Sequence, residues 1–175
     1  ASGGLELMQF WIALPEADEE CEPSFNHYGA EALPLIERPG LCCRVLAGEV
    51  MGQRSAVRTS SPLFCAHVEL SAGTCFTLDG AYPEQAVYVA RGAISSGGQT
   101  AEPGQLMVFD QGADEVVAEQ DSVLMLLGGE PVGPRHIFWN FVSSRPERIE
   151  QAKADWRAGR MKLPDLDQDE FIPLP

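Results

Sequence analysis

The chain has 175 residues, a formal net charge of −14 and a hydrophobic content of 45%. That length suits one domain of ordinary size with a real core, and the acid excess argues against direct contact with nucleic acid or an anionic membrane. No run approaches about 18 apolar residues, so no helical membrane span is expected. The start, Ala1-Ser2-Gly3-Gly4, lacks an initiator Met and has no basic n-region ahead of a long apolar stretch. It reads as the start of a processed product or a fragment, without a signal peptide.

Residues 1–15 read as a leading strand: 4–14 is rich in β-formers and aromatics, including Leu7, Phe10 and Trp11, and Pro15 stops it. Residues 16–40 open with Glu16, Asp18, Glu19, Glu20 and Glu22 and carry Pro23, Pro34 and Pro39, so they read as a long connection. Over 41–143, strand-like runs recur at 41–46, 64–70, 73–78, 85–89, 92–95, 106–109, 115–118 and 123–127. Gly and Pro turn signals such as Asp79-Gly80, Gly97-Gly98 and Pro103-Gly104 separate them. Many short strands so punctuated indicate an all-β sandwich or barrel.

Residues 144–160 read as one α-helix. Ser144-Arg145-Pro146-Glu147 fits a capping box with Ser144 as N-cap. Ile149, Ala152 and Trp156 share one face, and Gly159 is the expected stop. Residues 161–175 are acidic and Pro-rich and read as an extended tail, with Phe171 and Ile172 tucked against the barrel. Seven of the twelve bases lie between Arg135 and Lys162, against three acids there. The expected partner of this basic face is the acidic tail, with a phosphate or an acidic partner molecule as the alternative.

The five cysteines, Cys21, Cys42, Cys43, Cys65 and Cys75, show no C-x-x-C spacing, which suggests neither a disulfide framework nor a zinc site. They read as small hydrophobes, and a reducing cytoplasm follows as the simplest location. His27, His67 and His136 are far apart with no ligand-spaced neighbour, so each reads as structural. There is no Walker loop, no nucleophile elbow and no Gly-rich dinucleotide turn.

The centre of the chain carries a frame that resembles the first motif of metal-binding cupins. That motif runs Gly, five residues, His-x-His, three or four residues, Glu, six residues, Gly. Here Gly73 and Gly92 stand at the glycine positions, but Asp79, Ala81 and Gln85 replace His, His and Glu. Met107, after Pro103-Gly104, stands where the second motif has His. A catalytic transition-metal site wants several imidazole or carboxylate donors converging on one point. Ala81 has no donor, Gln85 is neutral and Met107 is soft, so no metal is expected in this barrel. Asp79-Gly80 then reads as a hairpin turn, and Asp79, Gln85, Tyr88 and Met107 are the expected lining of any small-ligand pocket in the barrel.

Further segments resemble the pirin family. They are the leading Leu5-Glu6-Leu7-Met8-Gln9-Phe10-Trp11, Arg44-Val45-Leu46-Ala47-Gly48-Glu49, Leu127-Gly128-Gly129-Glu130-Pro131, and Phe138-Trp139-Asn140-Phe141-Val142-Ser143-Ser144 running on to Glu150-Gln151-Ala152. The resemblance implies the C-terminal half of a bicupin: a double-stranded β-helix or jelly-roll barrel with one C-terminal helix. It implies that iron or another transition metal belongs to the first cupin, which this sequence does not contain. It also associates the family with quercetinase-type dioxygenase activity. The expected role is therefore a structural, non-catalytic half, with no cofactor of its own. Leu7, Phe10 and Trp11 would dock the metal-bearing cupin or a second copy in a dimer. Dioxygenase activity of the whole family, or small-ligand binding in the barrel, are the alternatives.

Overall fold

The computed structural model describes residues 4, 7–78, 80–109, 114–161 and 172–175, with residue 114 given by its backbone. Clustering of contacts divides the chain into two compact units, 22–131 and a terminal unit of 1–21 with 132–175.

The 22–131 unit is all-β. Its strands are β1 (Leu35–Arg38), β2 (Leu41–Ala47), β3 (Glu49–Val50), β4 (Gln53–Arg54), β5 (Leu63–Leu70), β6 (Cys75–Leu78), β7 (Glu84–Arg91), β8 (Ile94–Ser96), β9 (Gln99–Ala101), β10 (Leu106–Phe109), β11 (Asp114–Ala118) and β12 (Ser122–Gly129). A six-stranded sheet has the order β1-β2-β5-β12-β7-β10, and a four-stranded sheet has the order β6-β11-β8-β9. Every pairing is antiparallel. The alternation seen in the sequence does its work here. In β2, Cys43 and Val45 are fully buried while Cys42 and Arg44 are half-exposed. Val68, Val87, Leu124 and Leu126 from the larger sheet meet Phe76, Ile94, Val116 and Ala118 from the smaller one in a single core. This is the all-β sandwich expected from the strand spacing, and it fits the jelly-roll barrel that the family resemblance implies.

The frame glycines have physical causes that involve no metal. Gly73 has φ +76° and Gly92 has φ +82°, a region that penalises any Cβ. At Gly92 a Cβ would also lie 2.5 Å from the Asp121 carbonyl oxygen. Beside it the buried Ser122 hydroxyl donates to the Ala93 carbonyl and accepts from the Ala93 N–H, each at 3.1 Å. This crossing ties the β7–β8 turn to the start of β12.

The terminal unit contains the hairpin β13 (His136–Phe138) and β14 (Phe141–Ser143) and the helix α1 (Pro146–Arg157). Trp139, at the hairpin turn, has φ +51°. Its ring packs edge-on against Phe141 at 5.7 Å and Trp156 at 5.1 Å. Lys153 Nζ sits 3.9 Å from the centroid of the Phe138 ring. Ile149 is the buried contact of the helix, and Gly159 follows its end with φ +62°.

Three expectations change. Residues 7–14 form no strand, although their composition favours one; a strand needs a ladder partner, and none of the described residues pairs with them. The N-cap of α1 is Arg145, with no side-chain cap bond, rather than Ser144. The Ser144 hydroxyl instead donates to Glu19 Oε2 at 3.0 Å. The third concerns the basic face, whose observed partner is the early acidic run: Glu19 pairs with Arg135, and Glu20 with Arg145 and Arg148. The acidic part of the tail lies outside the described residues. From the tail, the Ile172 carbonyl accepts a bond from Trp156 Nε1 at 2.8 Å while its side chain stays exposed.

Candidate functional site

Of the frame positions, Gln85 and Met107 are the ones the structure sets against the barrel core. Asp79 lies outside the described residues. Ala81 is exposed and offers only a methyl group. Gln85, the second residue of β7, is 3% exposed. Strand alternation turns it inward with Val87 and Val89. Phe109 stands opposite it on β10, and Met107 stands opposite Val87, packed against the core. Tyr88 is an odd number of residues from Gln85 and so falls on the other face of the sheet. It cannot share a lining with Gln85, and this part of the expected pocket is corrected.

Gln85 borders a cavity of about 30 Å³ together with Glu49, Phe64, Phe76, Thr77 and Tyr82. The rings of Phe64 and Tyr82 are 5.1 Å apart and wall one side. The Gln85 side-chain Nε2 is buried with no hydrogen-bond partner. A space of this size takes one or two waters and nothing larger. Among the described residues no group of three or more His, Cys, Asp or Glu side chains could hold a metal ion. The donors present do not fit a redox metal either. Gln85 is a neutral amide and Met107 a thioether that prefers soft ions, so neither supplies the imidazole or carboxylate donor such a metal wants.

The second site is in the terminal unit. Leu7, Phe10 and Trp11 are 74%, 38% and 56% exposed, so the structure leaves all three expected docking residues on the surface. Residues Trp11, Ile12 and Leu14 border a cavity of about 310 Å³ with Glu19, Arg135 and Asn140. At its base lies a buried ion pair, with both side chains 8% exposed and Arg135 Nε 2.9 Å from Glu19 Oε1. The N–H is not aligned with that oxygen, so the contact is ionic and not a directed hydrogen bond. The guanidinium also donates to the carbonyls of Leu14 at 2.7 Å, Val132 at 2.9 Å and Pro134 at 2.9 Å. Glu19 accepts from the Ser143 hydroxyl at 2.9 Å, the Ser144 N–H at 2.8 Å and the Ser144 hydroxyl. Desolvation pushes the Glu19 carboxyl up, but these donors and the Arg135 charge outweigh it and hold it below the usual carboxylate range. The two charges satisfy each other, so the pair anchors the segment after Pro15 and leaves no free charge for a ligand.

The family model for the pirin C-terminal cupin domain matches residues 65–162. The chain belongs to the pirin family. It is 53% identical over 175 residues to a pirin-like protein of Caulobacter vibrioides, covering 99% of this chain and 61% of that one. It is 27% identical over 161 residues to pirin of Homo sapiens, covering 86% of this chain and 55% of that protein. Among solved structures, a quercetin 2,3-dioxygenase from Acinetobacter baumannii superposes with a TM-score of 0.82 at 27% identity, over 94% of this chain and 56% of that one. The chain thus spans between half and two-thirds of the length of the pirin relatives it matches.

Sequence reasoning missed the Glu19–Arg135 pair. Its residues are 116 positions apart, and the only signal was an acidic run and a basic run of unknown partnership.

Proposed function

We propose that this pirin chain is a metal-free cupin half whose role is to support and dock a metal-bearing cupin. The observation that carries the first part is Gln85. It occupies the position of the acidic ligand in the cupin frame, and its unpartnered amide borders a cavity of about 30 Å³. Small-molecule sites run to about 300–1,000 Å³, so the barrel interior is a poor candidate for a substrate pocket. Support for docking comes from the exposed apolar run that includes Leu7, Phe10 and Trp11. Free thiols at Cys43 and elsewhere fit a reducing compartment such as the cytoplasm, and no helix among the described residues is long and apolar enough to cross a membrane.

The test is to co-express this chain with the part of the Caulobacter relative that lies outside the match, and to purify through a tag on this chain. The expected result is a complex whose metal content tracks the partner, while this chain alone carries none by elemental analysis. A Phe10→Ser, Trp11→Asp variant should release the partner without loss of fold by circular dichroism. Stoichiometric iron, nickel, copper or manganese in this chain alone would reverse the reading.

A second reading is quercetinase-type dioxygenase activity of the assembled protein. It is favoured by the likeness to a protein named quercetin 2,3-dioxygenase. Quercetin turnover by the complex, and none by either part alone, is its expected signature.

A further inference from the structure

A small hairpin borders the barrel cavity beside Gln85. Among the described residues, β3 and β4 pair only with each other and belong to neither of the larger sheets. Val50 pairs with Gln53, so the connecting loop is Met51-Gly52. Both loop residues lie at positive φ, +50° and +79°. A two-residue loop of this kind favours Asn-Gly or Gly-Gly, so the methionine is held against its backbone preference. Packing holds it. Met51 rests against the core, Val50 is 9% exposed, and both border the cavity of about 30 Å³.

The hairpin is tied down at its stem. The Ser55 N–H donates to the Gly48 carbonyl at 2.8 Å, and the Ser55 hydroxyl donates to the Leu46 carbonyl at 2.9 Å. Beyond the stem, the exposed Glu49–Arg54 pair at 2.8 Å links the two strands to each other. The turn itself holds to the barrel through the packing of Val50 and Met51. A short segment with so few buried contacts opens at low free-energy cost. The cavity it borders is walled by Phe64, Phe76, Tyr82 and Leu126. On the same cavity Gln85 is 3% exposed, and its Nε2 has no acceptor. Buried donors are nearly always satisfied. One kept unsatisfied at a cost to stability marks a place for an acceptor that comes and goes.

We propose that the β3–β4 hairpin plugs a binding site inside the barrel, and that the site takes a neutral, largely apolar molecule with one oxygen that accepts from the Gln85 amide. Plugged, the cavity takes only water. Lifting Val50 and Met51 out gives their volume to the ligand, whose body then packs among Phe64, Phe76, Tyr82 and Leu126. Its oxygen gives Gln85 Nε2 the partner it lacks. Glu49 borders the same space and repels a carboxylate, so a neutral molecule is preferred to an anion. Displacing the plug lowers the apparent affinity by the fraction of chains that are open. The site uses none of Leu7, Phe10 and Trp11, so it stands or falls independently of the docking role.

Amide NMR titration of the 175-residue chain with acetophenone, toluene and benzoate, each to about 5 mM, tests it. Acetophenone should give saturable shifts in residues 49–54 and in β7. Toluene lacks the oxygen and should bind about three- to tenfold more weakly, and benzoate should not bind. Gln85→Leu should erase the preference for acetophenone over toluene. Met51→Gly suits the turn and removes the plugging side chain, so it should tighten acetophenone binding about tenfold, with the fold checked by circular dichroism. Absence of saturable shifts in both the unsubstituted chain and Met51→Gly overturns the proposal. So does an affinity indifferent to Met51→Gly, a preference for acetophenone that survives Gln85→Leu, or benzoate binding as tightly as acetophenone. Shifts confined to residues 132–161 would put the ligand in the terminal unit and overturn it too.

Discussion

Gln85 concentrates the tension of the barrel interior in one side chain. A buried donor without an acceptor costs about 1–3 kcal/mol. Replacing the amide with an apolar side chain of similar size removes that cost and keeps the contacts with the surrounding core. Gln85→Leu should therefore raise stability by about 1 kcal/mol, seen as a higher urea midpoint at unchanged m-value. A lower midpoint would mean that water bridges the amide to its neighbours and that the polar site is satisfied. Gln85→Glu has the opposite sign. Burial raises the folded pKa of a carboxyl placed there, so its stability holds in acid and falls as pH rises through the carboxylate range. The thiols follow the same logic of burial. Desolvation pushes Cys43 and Cys65 up to about 11, and the Glu115 carboxylate beside Cys75 pushes that thiol up too. Alkylation at pH 8 should then mark the exposed Cys21 well ahead of Cys43 and Cys65. Equal labelling of all five would contradict the packing of β2 and β5.

At the scale of elements, the hairpin and helix of the terminal unit are fastened by carboxylates from the segment after Pro15. Glu19 reaches Ser143, Ser144 and Arg135, while Glu20 takes Arg148 Nε at 2.6 Å and Arg145 at 3.0 Å. The hydrogen bond from Arg148 is the largest influence on Glu20 and holds it below the usual carboxylate range. Both groups have folded pKa values lowered from 4.5. Their contribution is fully present above that value and is lost as pH falls through the lower folded values. The protection factors of the α1 amides should thus fall below about pH 4.5 before those of the barrel strands do. Glu19→Gln should remove the Glu19 share of that acid step and lower the melting temperature by several degrees at pH 7, since Arg135 keeps its charge without a counter-ion. The same residues explain what the sequence revealed and what it hid. Alternation in β2, β5, β7 and β12 is a local record of which side chains face the core, and those strands were legible. The capping box at Ser144 was misread because Glu19, 125 positions away, takes the Ser144 hydroxyl and N–H. Residues 7–14 have the composition of a strand, but pairing is a property of a neighbour, and composition cannot supply one. In the barrel, the frame glycines were legible as backbone requirements. The lining was only half so, because Tyr88 and Gln85 look alike in sequence until the pleat separates them.

The division into two units also predicts how the whole molecule unfolds. All the residues of the main core cluster lie between Leu41 and Leu126, inside the 22–131 unit. Among the described residues, the terminal unit has Ile149 as its one buried hydrophobic, together with the stack of Trp139, Phe141 and Trp156. Burial of apolar area is what offsets chain entropy, so stability on its own belongs to the first unit and not to the second. A 22–131 fragment should keep a β-type circular dichroism spectrum, dispersed amide resonances and a single cooperative urea transition. A peptide of 132–175 should show little helix in water, because twelve helical residues without a core are too few to hold the fold. In the intact chain, tryptophan fluorescence reports only on the terminal unit, since Trp11, Trp139 and Trp156 all lie within it. Its transition should therefore precede the one seen by far-ultraviolet dichroism. Coincident transitions would show that the two units unfold as one cooperative body, and a molten 22–131 fragment would show that the barrel core is insufficient alone.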